Sequence, residues 1–398
     1  MTPSFFSLAG LCIILAVVQM VAALPWLLAL DIRQRPLWKK WSTWGIGVAV
    51  CGGVGLVAGW YLDVSADEIF LRRVGRVYGS ILHLQVAADL FVGIFALQLI
   101  FWPKGGAVAL SAFREGVRQP MFWLLGGTAF LIIGASPFVP YFTFGEDLKM
   151  VKELGYALTM LAAAAFAVIA ASMSVSEEIE GRTAVTLMSK PVSRRQFLLG
   201  KFSGILMAAL FMTVFLGWFL VWIVLFGTGY IRLPGQVDPP DPQWTVNLAQ
   251  SLFPSSGADL LRGLFLWVDD VVLTLPGLVI GFCQVMVFLA IALALATRLP
   301  VVVNWTICLA VYYLGHLTPI MTEVTRGQYR LIYFVAQLFD TLLPGLDLFD
   351  VGTAVIREAP LPPLEYNLYA LNVSIYAVVY TAIALLFGLI LFEDRDLA

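Results

Sequence analysis

Long apolar runs alternate with short charged connections along the whole chain. Nine of the runs come close to or exceed the ~20 residues that a helix needs to cross ~30 Å of hydrocarbon. They lie at 5–30, 44–62, 78–102, 120–140, 154–175, 202–226, 272–297, 300–320 and 367–392, and they predict nine helical spans. The first, Phe5 to Leu30, has no basic stretch ahead of it and is far longer than the ~7–15 residues of a signal-peptide core. It is therefore read as a retained span. A tenth run, Leu331 to Phe339, is too short to cross and leads into Leu342-Leu343-Pro344-Gly345. That pattern predicts a short helix, or a re-entrant hairpin entering from the outer side.

Between the spans the polar segments differ in kind. Trp102-Pro103-Lys104-Gly105-Gly106 predicts a helix break after the third span. Val108 to Gln119 then mixes apolar Val108, Leu110 and Phe113 with Arg114, Glu115 and Arg118, a pattern for an amphipathic helix lying in the inner interface. Residues 227–271 carry Pro234, Pro239, Pro240, Pro242 and Pro254, which predicts an exposed loop leading to a helix near Ala258 to Val268.

Composition agrees with the pattern. The chain is 60% hydrophobic and 13% charged, against about a quarter charged in ordinary soluble domains, so lipid is the solvent for most of it. A net charge of -2 without any basic face excludes nucleic acid as a partner. Cys12, Cys51, Cys283 and Cys308 all fall in apolar runs, far apart, which argues against a metal site or a disulfide framework. Trp60, Tyr61, Trp102, Trp123, Trp218 and Trp222 near span ends read as interfacial anchors.

Orientation follows from lysine and arginine, which are retained on the cytoplasmic side. With the N-terminus outside, the inner connections are 31–43, 103–119, 176–201, the turn at Arg298 and the tail from Glu393, and they hold more than half of the 24 basic residues. The expectation is a multi-pass protein of the cell (inner) membrane with its C-terminus cytoplasmic. Arg72, Arg73 and Arg76 in the outer connection 63–77 run against this bias.

The most informative connection is 176–201. Ser174 and Glu177 have capping-box spacing, and Glu177, Glu178 and Glu180 crowd the turns where the positive end of a helix dipole favours acids. Glu178 and Arg182 stand i, i+4 in the favourable order, and Pro191 stops the helix. Ser193 and Gln196 again have capping-box spacing for the helix that becomes the sixth span. Arg194, Arg195 and Lys201 sit where that helix's dipole disfavours them, so topology explains their presence. From the residues alone two readings stay open. One is a rigid bracket that passes a push from a soluble partner to two spans. The other is a solvated loop whose charges only set topology.

This stretch resembles the signature of type 2 exporter permeases of ATP-binding-cassette (ABC) transporters. The resemblance runs through Glu177-Glu178-Ile179-Glu180, Thr183, Leu187, Ser189-Lys190-Pro191-Val192-Ser193-Arg194 and Leu199-Gly200-Lys201, with Gly181-Arg182 departing from the usual pair of polar residues. Ala112-Phe113-Arg114-Glu115 resembles the entry helix of such permeases. Leu343 to Phe349 and Phe392 to Leu397 resemble the gliding and multi-copper-enzyme-maturation branch, although Glu393-Asp394 replaces an expected basic pair.

The resemblance implies an all-α polytopic membrane protein of about nine transmembrane helices. Residues 1–104 would be a three-helix membrane extension. Residues 105–398 would be a six-helix permease core with coupling segment 176–196 and outer loops 227–271 and 321–366. It further implies an exporter subunit in the lipid bilayer, paired with a second permease chain as a homo- or heterodimer, and two copies of a separate ATPase. The ATPase would contact Glu177, Glu178, Glu180, Arg182, Thr183, Leu187, Ser189, Lys190, Pro191 and Arg194, with 108–119 as a second interface element.

No G-x-x-x-x-G-K-[ST] phosphate-binding loop, which would follow a strand, is present, and Arg195 stands where Gly200-Lys201 would need its first glycine. The chain is expected to be no enzyme and to hold no cofactor and no metal. His83 and His316 lie in different spans, Asp89 sits mid-span near His83 and Gln85, and Asn304, Gln284 and His316 either line a pathway or satisfy one another. Two alternatives remain. An ion-gradient-driven secondary transporter would use Asp89, His316 or Glu323, with Asp269 and Asp270 as further carboxylates, and a membrane scaffold would not transport at all.

Overall fold

The computed structural model describes residues 8–30, 41–65, 67–139, 141, 147–180, 193–230, 241–253, 257–325, 330–350 and 363–393. Among these every regular element is a helix: α1 Leu8–Leu30, α2 Trp41–Ser65, α3 Glu68–Phe101, α4 Pro103–Arg118, α5 Pro120–Ala135, α6 Asp147–Glu180, α7 Arg194–Tyr230, α8 Gln243–Leu252, α9 Gly257–Ala296, α10 Val301–Thr325, α11 Arg330–Leu342 and α12 Pro363–Glu393. Short 3-10 turns follow α5 at Ser136–Phe138 and α11 at Leu346–Phe349. Nine of the described helices are long and apolar enough to cross a bilayer, and they coincide with the nine expected spans. The chain is an all-α polytopic membrane protein.

Local chemistry sets the boundaries. Pro103, Pro120 and Pro363 each open a helix, at the position where a missing N–H costs nothing. The break expected across 102–106 therefore narrows to Trp102, and Gly105 and Gly106 lie buried inside α4. The helix expected near Ala258 to Val268 is the first part of α9, which continues for 40 residues through Pro276. At 1.5 Å per residue α9 extends ~60 Å, about twice the hydrocarbon thickness.

Residues cluster into two compact units, Met1–Ala96 with Gly235–Leu273, and Leu97–Pro234 with Thr274–Ala398. The segment 235–273, grouped with the later spans in the sequence reading, thus clusters with residues 1–96. In the first unit Leu8, Leu11, Leu62, Leu71, Phe253 and Leu260 form a buried core. Beside it lies a charge network. Arg72 meets Asp259 at 3.6 Å and Asp241 at 3.9 Å, Arg262 also pairs with Asp241, and Arg76 reaches Asp270 at 4.0 Å. Arg72 and Arg76, which run against the inner-side bias, are held there by acids that the sequence places ~170–200 residues away.

The second unit holds α4, α5, α6, α7, α10, α11, α12 and α9 from Thr274 onward. Lipid offers no hydrophobic drive for helices to associate, so small residues that let backbones approach become decisive. α6 supplies them: Ala163, Ala167, Ala170 and Ala171 are fully or almost fully buried. Phe166 is wedged among them, edge-on to Phe122 of α5 with ring centroids 5.2 Å apart. After α11 the chain turns back onto α12. Tyr376 Oη accepts from the Gly345 N–H, and the hydroxyls of Tyr369 and Tyr380 donate to the carbonyls of Leu348 and Leu342. Leu346 and Phe349 are buried beneath this turn.

Candidate functional site

The segment 176–196 begins as helix. α6 runs without interruption to Glu180, five residues beyond its apolar part. Glu177, Glu178 and Glu180 occupy its last turns, where the backbone alone is described, while Arg182, Thr183, Leu187, Ser189, Lys190 and Pro191 lie outside the described residues. The helix start expected at Ser174 is corrected: Ser174 is interior to α6. Serine three residues before an acid occurs inside helices as well, and nothing here stops the preceding span from continuing. The second expected start is present. Ser193 and Gln196 exchange bonds, the Gln196 N–H to Ser193 Oγ at 3.2 Å and the Ser193 N–H to Gln196 Oε1 at 3.1 Å, and α7 begins at Arg194.

Around these two helix ends the second unit is tied together by residues that sequence reading assigned to topology. Lys201, about two turns into α7, has a side chain only 6% exposed. Its ammonium donates to Ser174 Oγ of α6 at 2.7 Å and to the Glu115 carboxylate of α4 at 3.4 Å. One lysine therefore joins α4, α6 and α7. Beside it α4 and α7 approach through small residues. A Cβ on Gly204 would collide with the Ala109 carbonyl and with Ala112, and one on Gly200 would lie 2.7 Å from Val108 Cβ. Only glycine permits this crossing, which supplies a physical reason for the pair Gly200-Lys201.

Arg194 makes the second tie. Its Nη1 donates to the carbonyls of Phe392 at 2.9 Å and Glu393 at 2.6 Å, with the guanidinium 5.7 Å from the centre of the Phe392 ring. Arg298, in the turn between α9 and α10, donates from Nε to the Leu391 carbonyl at 2.8 Å. The last carbonyls of a helix lack partners within it and carry the negative end of its dipole, so two guanidiniums there are well placed. Arg195 and Glu393 add a pair at 3.7 Å, exposed on both sides and of small energetic weight. Glu393, anomalous by sequence, has a basic partner brought from α7.

Deeper in the bundle Asn304 is fully buried and satisfied, its amide donating to Ser172 Oγ at 2.9 Å and the Ala292 carbonyl at 2.8 Å. It therefore binds α10 to α6 and α9 rather than pairing with His316 or Gln284. His316 Nδ1 stays 2.9 Å from the Tyr312 carbonyl of its own helix. Among the carboxylates considered for ion coupling, Asp270 faces Arg76, Asp269 accepts from Trp244 Nε1 at 3.0 Å, and Glu323 is exposed.

These features define a polytopic α-helical membrane protein in which polar ties made from α7 bind it to α4 and α6 and, separately, to the end of α12. Residues 117–236, under a third of the chain, match a family model described as ABC-2 family transporter protein. The matched stretch contains α5, α6, α7 and the whole of 176–201. No curated protein matches the chain.

Proposed function

We propose that the chain is the permease subunit of an ABC transporter, moving substrate outward with ATP hydrolysed by a separate subunit. The observation that carries this reading is the convergence on 176–196: α6 and α7 leave the segment at its two ends, Lys201 binds both to α4, and Arg194 binds α7 to the end of α12. A force applied to the segment reaches four helices at once, because each tie is made within two turns of it. The match of 117–236 to ABC-2 transporters supports the same reading.

In this account Glu177, Glu178, Glu180, Arg182, Thr183, Leu187, Ser189, Lys190 and Pro191 face the ATPase, and Arg194 passes the load inward. Two ATPases serve two permease chains, the segment lies on the cytoplasmic side, and the resemblance of Leu343–Phe349 suggests the gliding and copper-enzyme-maturation branch. ATP binding then biases the permease between two states through contacts made in only one of them. The test is the double reversal Glu178→Lys with Glu180→Lys in chains co-expressed with the partner ABC ATPase. Expected is at least a tenfold loss of retained ATPase with normal insertion; unchanged retention and unchanged transport would overturn the assignment.

A further inference from the structure

α4 has two faces. One carries the small residues pressed against α7; the opposite one presents Ala107, Leu110, Ser111, Arg114 and Arg118, spaced i, i+3, i+4, i+7 and i+11 along a single stripe. This stripe lines an open concavity of about 730 Å³, bordered also by Leu99 at the end of α3 and Pro120 at the start of α5. α3 and α5 are both of spanning length, so the concavity lies at the level where they leave the hydrocarbon.

Its charge is unbalanced. Glu115 borders it too, but that carboxylate is engaged by Lys201. Arg114 and Arg118 are both exposed, and among the described residues neither has an ion-pair partner. Two guanidiniums one helical turn apart repel each other and weaken the helix that carries them. An anion lying between them relieves that repulsion, and the planar guanidinium suits phosphate in particular. Leu99 and Leu110 give the same hollow an apolar wall.

We propose that this concavity binds an anionic phospholipid, with Arg114 and Arg118 on the headgroup phosphate and the acyl chains against Leu99 and Leu110. A soluble phosphate compound shares the headgroup chemistry but has no use for the apolar wall or for a place between two span ends. An acidic surface of a protein partner would meet the arginines, yet a hollow between helices entering the bilayer suits it less than a convex helix face.

The test is native mass spectrometry of the full-length chain purified in detergent and incubated with phosphatidylglycerol, phosphatidylcholine or inorganic phosphate. Phosphatidylglycerol should be retained in preference to phosphatidylcholine. Each basic residue near an anionic headgroup contributes about fivefold, so Arg114→Gln with Arg118→Gln should lower that retention by roughly 25-fold. Arg114→Lys with Arg118→Lys should keep most of it. Equal retention of the two lipids, or unchanged retention in the glutamine variant, would overturn the proposal. So would displacement of the lipid by inorganic phosphate, which would make the occupant a soluble phosphate compound. A glutamine variant that keeps its lipid but loses a co-expressed ATPase would make the face a protein-docking surface instead. Should the glutamine variant not fold, the comparison of the two lipids on the wild-type and lysine-variant chains decides.

Discussion

Lys201 places a charge where only 6% of its side chain meets solvent, and the arrangement holds because Ser174 and Glu115 come to it from two other helices. Replacing it by methionine keeps the stem and removes the donor. Lys201→Met should lower stability by about 1–3 kcal/mol, the cost of leaving the buried Ser174 hydroxyl without its donor. Arg195→Ala, which breaks only an exposed pair, should change it by less than about 0.5 kcal/mol. Thermal unfolding in detergent measures both, and equal effects would contradict the assigned roles. At this scale the sequence was legible where chemistry is local: the Ser193–Gln196 exchange follows from spacing alone. It was illegible where the partner is distant. Nothing near Lys201, Arg194 or Glu393 in the chain announces Glu115, Phe392 or Arg195, so topology stood in as the explanation for the basic residues.

Among elements, the crossing of α4 and α7 is the contact most sensitive to size. Gly204→Val puts two methyls where the Ala109 carbonyl already lies, and overpacking of this kind costs about 1–3 kcal/mol. Gly127→Ala in α5 meets nothing within 4 Å and should be neutral, or stabilising by up to about 1 kcal/mol, because alanine is the better helix former. Detergent stability of the two variants should therefore move in opposite directions or by clearly different amounts. The nine apolar runs marked the helices well, because a bilayer-long stretch without charges has few other uses. Their ends were less readable. α6, α7 and α9 extend to 34, 37 and 40 residues because charged residues continue a helix as readily as apolar ones once it has left the lipid. α8 lay hidden in a segment whose prolines spoke for a loop, and Pro103 opened a helix where a break was expected.

For the molecule as a whole, the account rests on the ends of α6, α7 and α12 sharing one side of the membrane with α4. The ties made by Arg194, Arg298 and Lys201 require this whichever way the chain is inserted. Absolute orientation came from the distribution of lysine and arginine, and two of the three arginines that opposed it, Arg72 and Arg76, are engaged by Asp241, Asp259 and Asp270. The ABC-2 match spans the segment at issue, and a soluble ATPase can reach that segment from the cytoplasm only. The most direct measurement is labelling of a Glu178→Cys chain with a membrane-impermeant maleimide, beside a Glu393→Cys chain; three of the four native cysteines are buried. Both positions should stay unlabelled in intact cells and react once the membrane is permeabilised. Reaction of Glu178→Cys in intact cells would put the segment on the outer face, where no nucleotide-driven subunit could push on it.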